Sequence, residues 1–251
     1  MLLAEFLLIL AICIGLGNLM PAPSVDLSKA PGYLSFVGVC LLVNLLYFFI
    51  VIAGLSFATA LAGLASLATL GWIRWYRTAR PNFSLSLGAA LGVGAHPLVL
   101  LPVIIVGLGL AWTPVSFLPY GDDTYANWLS HAKQIWLVND FWFPGMMSAA
   151  LGYPPGWHLL LALSGGFWGS FIEVHALAAP MVFHVALLAM VFDLSRVVFR
   201  RRFELEHRTS SGLALFAILF LLAIEGAWKL MPTLLLSGMP LFYSAIGVIL
   251  M

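Results

Sequence analysis

Long uninterrupted apolar runs are the feature that most constrains how this chain can fold. Several reach 18 residues or more, and apolar side chains make up 63% of the 251 residues. Charged residues make up only 8%, against about 25% in a typical soluble domain, and mean hydropathy is +1.06. Runs of this length and composition can cross a lipid bilayer as helices. The sequence therefore predicts an all-α, polytopic transmembrane helical bundle.

The positions of the basic residues predict how these helices are oriented. Candidate spans cover about 2–20, 33–53, 55–73, 84–112, 175–198 and 212–231, with an incomplete one from about 234. Cytoplasmic connections are enriched in Lys and Arg. Two connections fit this rule, and their arginines are Arg74, Arg77 and Arg80 in one and Arg196, Arg200, Arg201, Arg202 and Arg208 in the other. The segment 113–157 between them, the first large external loop, is then predicted on the non-cytoplasmic side.

The number of membrane crossings predicts which of the apolar pieces after this loop spans the bilayer. The chain must cross an odd number of times between the loop and Arg196, and two apolar pieces are available, 157–169 and 175–198. The first is too short for about 30 Å of hydrocarbon, so we predict a half-inserted helix there and a full span in the second. In the run 33–73, Gly54 and Ser56 predict a tight turn between two helices.

Several broader properties follow from composition and from the ends of the chain. A net charge of +1 argues against nucleic acid as a partner. Cys13 and Cys40 both lie in apolar runs, which argues against a disulfide framework. Residues 1–20 lack the basic region and cleavage site of a signal peptide, so we expect a retained helix. The chain ends at Met251 inside an apolar run, so we expect 1–251 to be one transmembrane domain from the front of a longer protein.

The external loop contains the acidic pair Asp122-Asp123. Either acid can cap a helix predicted over about 124–138, and the apolar face of that helix comprises Trp128, Leu129, Ala132, Ile135 and Trp136. Such a helix is expected to lie along the membrane surface, with its polar residues, including His131 and Lys133, on the other face. The loop ends in a proline-stiffened segment from Tyr153 to His158 that leads into the short helix.

Each polar group in the loop has a structural and a functional interpretation. Asp122 and Asp123 are either a helix cap with a solvated neighbour or catalytic carboxylates that share a divalent cation, Mg or Mn. His131 and His158 are either interfacial hydrogen-bonding groups or phosphate contacts. Lys133 either extends to lipid headgroups or binds substrate.

The ionisable groups within the apolar runs also have two interpretations. Glu225 and Lys229 are four positions apart, so they either pair with each other or line a substrate path. His175 and His184 are interpreted as buried packing residues, and Arg200, Arg201 and Arg202 as an anchor of the topology.

The loop motifs resemble the GT-C superfamily of integral-membrane glycosyltransferases. Within it, they are similar to bacterial members with an acid early in the first large external loop and a Tyr-Pro-x-Gly-x-His segment at its end. The matching pieces are Asp122-Asp123-Thr124-Tyr125 and Tyr153-Pro154-Pro155-Gly156-Trp157-His158. The apolar stretch before Arg200 and the segment Ser237 to Tyr243 also match, so the resemblance covers about 84–251.

The resemblance implies a fold and a reaction. The fold is a helical bundle whose external loops cover a cleft at membrane level. The donor is a sugar on a polyprenyl phosphate, Asp122 acts on the acceptor hydroxyl as base or orienting group, and Asp123 falls where many members carry a second acid. Donors such as His131, Lys133 and His158 would stabilise the departing phosphate, and Tyr125 and Tyr153 are assigned to substrate binding with their motifs. Some relatives place a histidine a few residues after the first acid, where this chain has Ala126 or Asn127.

Three functions are therefore weighed. The first is a lipid-linked sugar transferase at the outer face of a bacterial plasma membrane. The second is a transporter or flippase for a lipid-linked or small polar substrate, in which Glu225 and Lys229 line a path. The third is a noncatalytic scaffold in envelope assembly, for which the sequence offers no positive sign.

Overall fold

The computed structural model describes residues 2–21, 27, 30–79, 96–101, 129–141, 155–173 and 175–224, and in this part of the chain the regular structure is helical, with no strand. The main helices are α1 (Leu2–Gly17), α2 (Pro31–Leu46), α3 (Phe57–Ala79), α4 (Ser130–Val138), α5 (Pro155–Gly165), α6 (Ala178–Phe203) and α7 (His207–Ile224). A π-helical turn, Tyr47–Ile52, continues α2, and a 3-10 turn, His175–Leu177, leads into α6.

Three of these helical segments are long and apolar enough to cross a membrane. They are Pro31–Ile52 with 22 residues, Phe57–Arg77 with 21 and Ala178–Phe203 with 26. The all-α prediction is confirmed for the described residues, and three of the predicted spans coincide with helices that are long and apolar enough to cross a membrane. The helix α1 has 16 residues, a length of about 24 Å that falls short of a hydrocarbon core of about 30 Å. The predicted span 84–112 lies outside the described residues except for 96–101, and the one from about 234 lies outside them entirely.

The tight turn predicted between the second and third helices is present. The segment α2 with its π turn ends at Ile52, and α3 begins at Phe57. Gly54 has φ +65°, in the left-handed region that glycine adopts without steric cost. The amide of Leu55 donates to the carbonyl of Phe49 at 2.8 Å, which closes the last turn before the reversal.

The core is centred on α1, α2 and α6, each of which packs against the other two. The helix α3 packs against α1, α7 packs against α6, and α5 packs against α2, α6 and α4. The antiparallel pair α1 and α2 is in backbone contact, because a Cβ on Gly38 would overlap the carbonyl of Cys13 and one on Gly17 would overlap that of Leu34. Only glycine permits this approach.

The contacts define two ends of the helical assembly. At the arginine end, Arg74 donates to the carbonyl of Leu19 at 2.9 Å, and Arg196 lies 3.4 Å from Asp193, whose other oxygen accepts from the amide of Gly32. At the loop end lies the turn 53–56, and there the amide of Phe57 donates to the carbonyl of Asn139 at 3.1 Å. The two arginine groups therefore share one end, and α4 finishes at the other.

The assignment of the arginines to connections was wrong in detail. Arg74 and Arg77 lie within α3, and α6 continues to Phe203 with Arg200, Arg201 and Arg202 in its last turn. Arginine is a good helix former, and its charge is favourable at the negative end of the helix dipole. An apolar run therefore predicts the apolar part of a helix but not the residue at which the helix ends.

Candidate functional site

The two short helices α4 and α5 pack side by side and point the same way. Near their starts, the rings of His131 and His158 lie 5.5 Å apart between centroids, edge to face. Near their ends, the indole Nε1 of Trp136 donates to the carbonyl of Gly166 at 3.2 Å. Both contacts follow increasing residue number in α4 and α5, so the helices are parallel. A histidine of the predicted loop helix and the histidine of the segment from Tyr153 to His158 are thus brought together.

Both histidines are buried, with 5% of His131 and 2% of His158 exposed. The predicted apolar face of α4 is confirmed at Leu129, Ala132 and Ile135, which are all buried. His131 was predicted on the polar face, and that placement was wrong. The reason is that α5 packs lengthwise on α4 and covers His131 as well as the apolar face. An imidazole can donate, accept or carry a proton, so this pair is chemically versatile.

The start of α5 is inserted between the long helices. A Cβ on Gly156 would come within 2.6 Å of the side chain of Val43, in the middle of the segment Pro31–Ile52. Next along the chain, the ring of Trp157 packs edge to face on Phe183 of α6 at 6.2 Å. The helix spans 11 residues, or about 16 Å. The short length predicted for this helix is confirmed, with its bounds at Pro155–Gly165 and not 157–169.

Trp157 adds a hydrogen-bond donor to the deep end of this helix. Its side chain is 2% exposed, and its Nε1 has no hydrogen-bond partner among the described residues. Buried indole N–H groups usually find an acceptor. The sequence analysis did not single out Trp157, although its place between Gly156 and His158 in the matched motif was a usable signal.

The remaining predicted site residues are not brought to this pair. Lys133 is exposed on the opposite side of α4 from His131. Six others lie outside the described residues, and they are Asp122, Asp123, Tyr125, Tyr153, Glu225 and Lys229. The divalent cation predicted at the acidic pair falls outside them too. Within the described ranges, no group of three or more His, Cys, Asp or Glu side chains is arranged to hold a metal ion.

A buried carboxylate at the arginine end was missed by the sequence analysis. Asp193 is fully buried, and its Oδ2 accepts from the amides of Gly32 at 2.8 Å and Tyr33 at 3.3 Å, capping the start of α2. Its Oδ1 lies 3.3 Å from His96 Nε2 and 3.4 Å from Arg196. This cluster satisfies the first amides of a helix from a distant part of the chain. The available signal was an acid in an otherwise apolar run.

A second buried acid, at the loop end, was also missed. Glu5 is fully buried in the first turn of α1, and its Oε2 lies 2.8 Å from Nδ1 of His175. The distance is that of an ion pair, but the angles of this contact are not those of a hydrogen bond. Burial lowers the pKa of His175, which favours its neutral ring. The contact ties α1 to the turn that precedes α6, and it agrees with the prediction that His175 is a buried packing residue.

Comparison of the chain with the profiles of known protein families, with curated proteins and with solved structures finds no match.

Proposed function

We propose that this chain belongs to a membrane glycosyltransferase of the GT-C type, which moves a sugar from a polyprenyl-phosphate donor to an acceptor hydroxyl at the outer face of the membrane. The observation that carries the proposal is the contact between His131 and His158 at the paired starts of α4 and α5. His158 closes the Tyr-Pro motif of the resemblance, and His131 lies a few residues after the acidic motif. A site built from the acidic motif and the Tyr-Pro motif requires that the two motifs lie close together. The paired starts of α4 and α5 support that arrangement.

Chain connectivity supports the same proposal. In the sequence, Asp122-Asp123 stand shortly before Leu129, and Tyr153-Pro154 lead directly into Pro155, the first residue of α5. Because α4 and α5 begin side by side, the acidic motif and the Tyr-Pro motif are attached to neighbouring points. We assign Tyr125 and Tyr153 to substrate binding on this ground.

The proposed chemistry assigns each group a role. The carboxylate of Asp122 accepts the proton of the acceptor hydroxyl while its oxygen bonds to the anomeric carbon. The bond from that carbon to the phosphate oxygen breaks, and the polyprenyl phosphate leaves with the electron pair. His131 and His158 would stabilise the charge on that phosphate. Asp123, with Mg or Mn shared between the two acids, would assist in the same way.

The three remaining predicted substrate-binding residues have only peripheral roles in the proposed reaction. Lys133, exposed on the far side of α4, would have to act on a headgroup or on a distant part of the substrate. Glu225 and Lys229 follow α7 in the sequence and would line the lipid path if the segment continues as a span.

Sugar transfer by membranes that contain the full-length protein tests the proposal. The probe is a radiolabelled polyprenyl-phosphate hexose, and the readout is label in any acceptor. We expect Asp122→Asn and Asp123→Asn to lower transfer by about 100-fold or more, the scale of a lost general base. Asp140→Asn, which removes an acid from the same loop, is the matched control and should keep its activity. Full transfer by both of the first two variants refutes the catalytic assignment.

The proposed orientation has its own test. A cysteine at Gln134, exposed on α4, should react with an impermeant maleimide added from outside the cell, whereas one at Arg202 should not. The native thiols give little background, because Cys13 is buried and Cys40 is half-buried. Labelling of Arg202→Cys from outside, with protection of Gln134→Cys, reverses the orientation.

The second candidate is a transporter or flippase, favoured by the two buried acids. Ionisable groups among membrane helices often mark ion or substrate paths. In this case Glu5→Gln should abolish movement of a fluorescent lipid or proton-coupled uptake in proteoliposomes, while Asp122→Asn should not. In a transferase Asp122→Asn abolishes sugar transfer, whereas Glu5→Gln lowers it only in part, because Glu5 acts through the position of the segment after α5. The two variants therefore separate the candidates.

A further inference from the structure

The junction of α6 and α7 forms a basic cleft at the arginine end. The helix α6 runs ten residues past Asp193 to Phe203, and α7 begins at His207. Between them Glu204 has φ +52°, the left-handed conformation that ends a helix and reverses the chain. The resulting cleft measures about 250 Å³, and it is lined by Val197, Arg200, Arg201, Glu204 and Leu205.

The electrostatics of the junction are dominated by its arginines. Arg196, Arg200, Arg201, Arg202 and Arg208 all lie on the facing ends of the two helices, with Glu204 and Glu206 as the acids of the connecting turn. His207 is exposed, and its pKa is held below the usual value of 6.5 by partial desolvation and by the charges of Arg196 and Arg200. Arginine offers a planar fork of N–H donors that matches a phosphate.

The cleft lies where a membrane-length helix ends. Arg200 and Arg201 are in the last turn of Ala178–Phe203, which is long and apolar enough to cross a bilayer. On the same turns, apolar side chains are open to the surroundings, with Val198 52% and Phe203 61% exposed. A basic cleft beside exposed apolar side chains at a helix end can bind both parts of a phospholipid, the phosphate of its headgroup and its acyl chains.

We propose that this cleft is a binding site for the phosphate-bearing headgroup of an anionic phospholipid. Arg200 and Arg201 bind the phosphate oxygens, and the exposed side chains of Val198 and Phe203 contact the acyl chains. Glu204, which also lines the cleft, favours headgroups that carry hydroxyl groups, since a carboxylate accepts from a hydroxyl and repels a second phosphate. This site is independent of the proposed transferase activity. It also goes beyond an anchor of the topology, which requires positive charge but no particular residue.

Lipid retention by the purified full-length protein tests the site. Native mass spectrometry is performed from nanodiscs that contain phosphatidylglycerol in phosphatidylcholine. We expect Arg200→Gln and Arg201→Gln each to lower the apparent affinity for phosphatidylglycerol by about tenfold, the scale of one charge-assisted hydrogen bond. Arg202→Gln is the matched control, since it removes the same charge from the same turn without lining the cleft. It should change the affinity by no more than about twofold.

Three outcomes overturn the proposal. Equal losses in all three variants mean that lipid is attracted by diffuse charge alone. Unchanged affinity in Arg200→Gln and Arg201→Gln removes the cleft from the interaction. Displacement of the lipid by inorganic phosphate at equal concentration identifies free phosphate as the ligand.

A second measurement is insensitive to expression level. Phosphatidylglycerol should raise the pKa of His207, measured by NMR of its ring, because the bound anion offsets the arginine charges. The lipid-induced rise should disappear in Arg200→Gln and persist in Arg202→Gln. A rise of the same size in both variants contradicts a localised site.

Discussion

Replacing Asp193 by alanine should cause one of the largest losses of stability available to a single substitution in this chain. The carboxylate is fully buried and makes four contacts. Two are hydrogen bonds from the amides of Gly32 and Tyr33 at 2.8 and 3.3 Å, and two are contacts with His96 at 3.3 Å and Arg196 at 3.4 Å. Asp193→Ala removes all of them and leaves the first amides of α2 buried without an acceptor.

The size of the effect follows from those contacts. Each unsatisfied buried amide costs about 1–3 kcal/mol, and removing one partner of a buried ion pair costs about 3–5 kcal/mol. The contributions overlap because one carboxylate makes every contact, so we expect a total of about 3–5 kcal/mol. Asp193→Asn keeps an oxygen for the amide of Gly32 and loses the charge. Its cost should be smaller, about 1–3 kcal/mol.

Thermal unfolding in detergent, followed by loss of the monodisperse peak, measures these differences. A loss of 3–5 kcal/mol corresponds to a fall in Tm of roughly 10 °C for a chain of this size. Glu206→Gln is the control, because it neutralises an exposed carboxylate near the same end and should stay within about 0.5 kcal/mol of the parent. If Asp193→Ala melts within about 2 °C of the parent protein, the capping argument is wrong. If the alanine and asparagine variants melt together, the charge and not the hydrogen bonds carries the effect.

Three further variants test other contacts. Gly38→Ala should cost about 1–3 kcal/mol or prevent folding, because its Cβ overlaps the backbone of α1, whereas Gly212→Ala enters open space and should be neutral or slightly stabilising. The pKa of His207 is lowered in the folded state, so the unfolded chain binds a proton at higher pH and the stability of the protein should fall as pH drops through about 6.5. His207→Gln should flatten that part of the stability profile. An unchanged profile contradicts the assignment of this pH dependence to His207. Gly166→Ala drives a Cβ into the indole of Trp136 and should separate α4 from α5, lowering sugar transfer by about tenfold or more. Full transfer by that variant shows that the pairing is dispensable.

The helices of the core could be predicted because their signal is local. Apolar runs longer than 18 residues located α2, α3 and α6, and Gly54 located the turn between the first two. The short helix after the loop was also predicted, since its length follows from two glycines and from the parity of the crossings. These properties depend on neighbours in the sequence, so one sequence is enough to find them.

The polar contacts could not be predicted because their partners are remote. Asp193 contacts the amide of Gly32, 161 positions away in the sequence, and Glu5 contacts His175. Helical periodicity showed which side of α4 is apolar, but it did not show that α5 would also cover His131. In each case the acid or histidine stands out in its apolar surroundings, while the identity of its partner depends on how distant helices pack.

The buried acids help to explain how a loop with short helices is held against the long ones. The helix α5 has 11 residues and α4 has nine, and helices this short are marginal by themselves. Their support comes from fixed points at the loop end. The carbonyl and side-chain oxygens of Asn139 accept from the amides of Phe57 and Ala58, and Glu5 contacts His175 just after the loop returns to the core. Asn139 directly follows α4, His175 lies in the segment that follows α5, and Trp136 and Gly166 set the spacing between the two helices near these same ends. Loss of one fixed point should therefore loosen the histidine pair before it unfolds the long helices, because the core of α1, α2 and α6 has its own cap at Asp193, at the opposite end of the assembly.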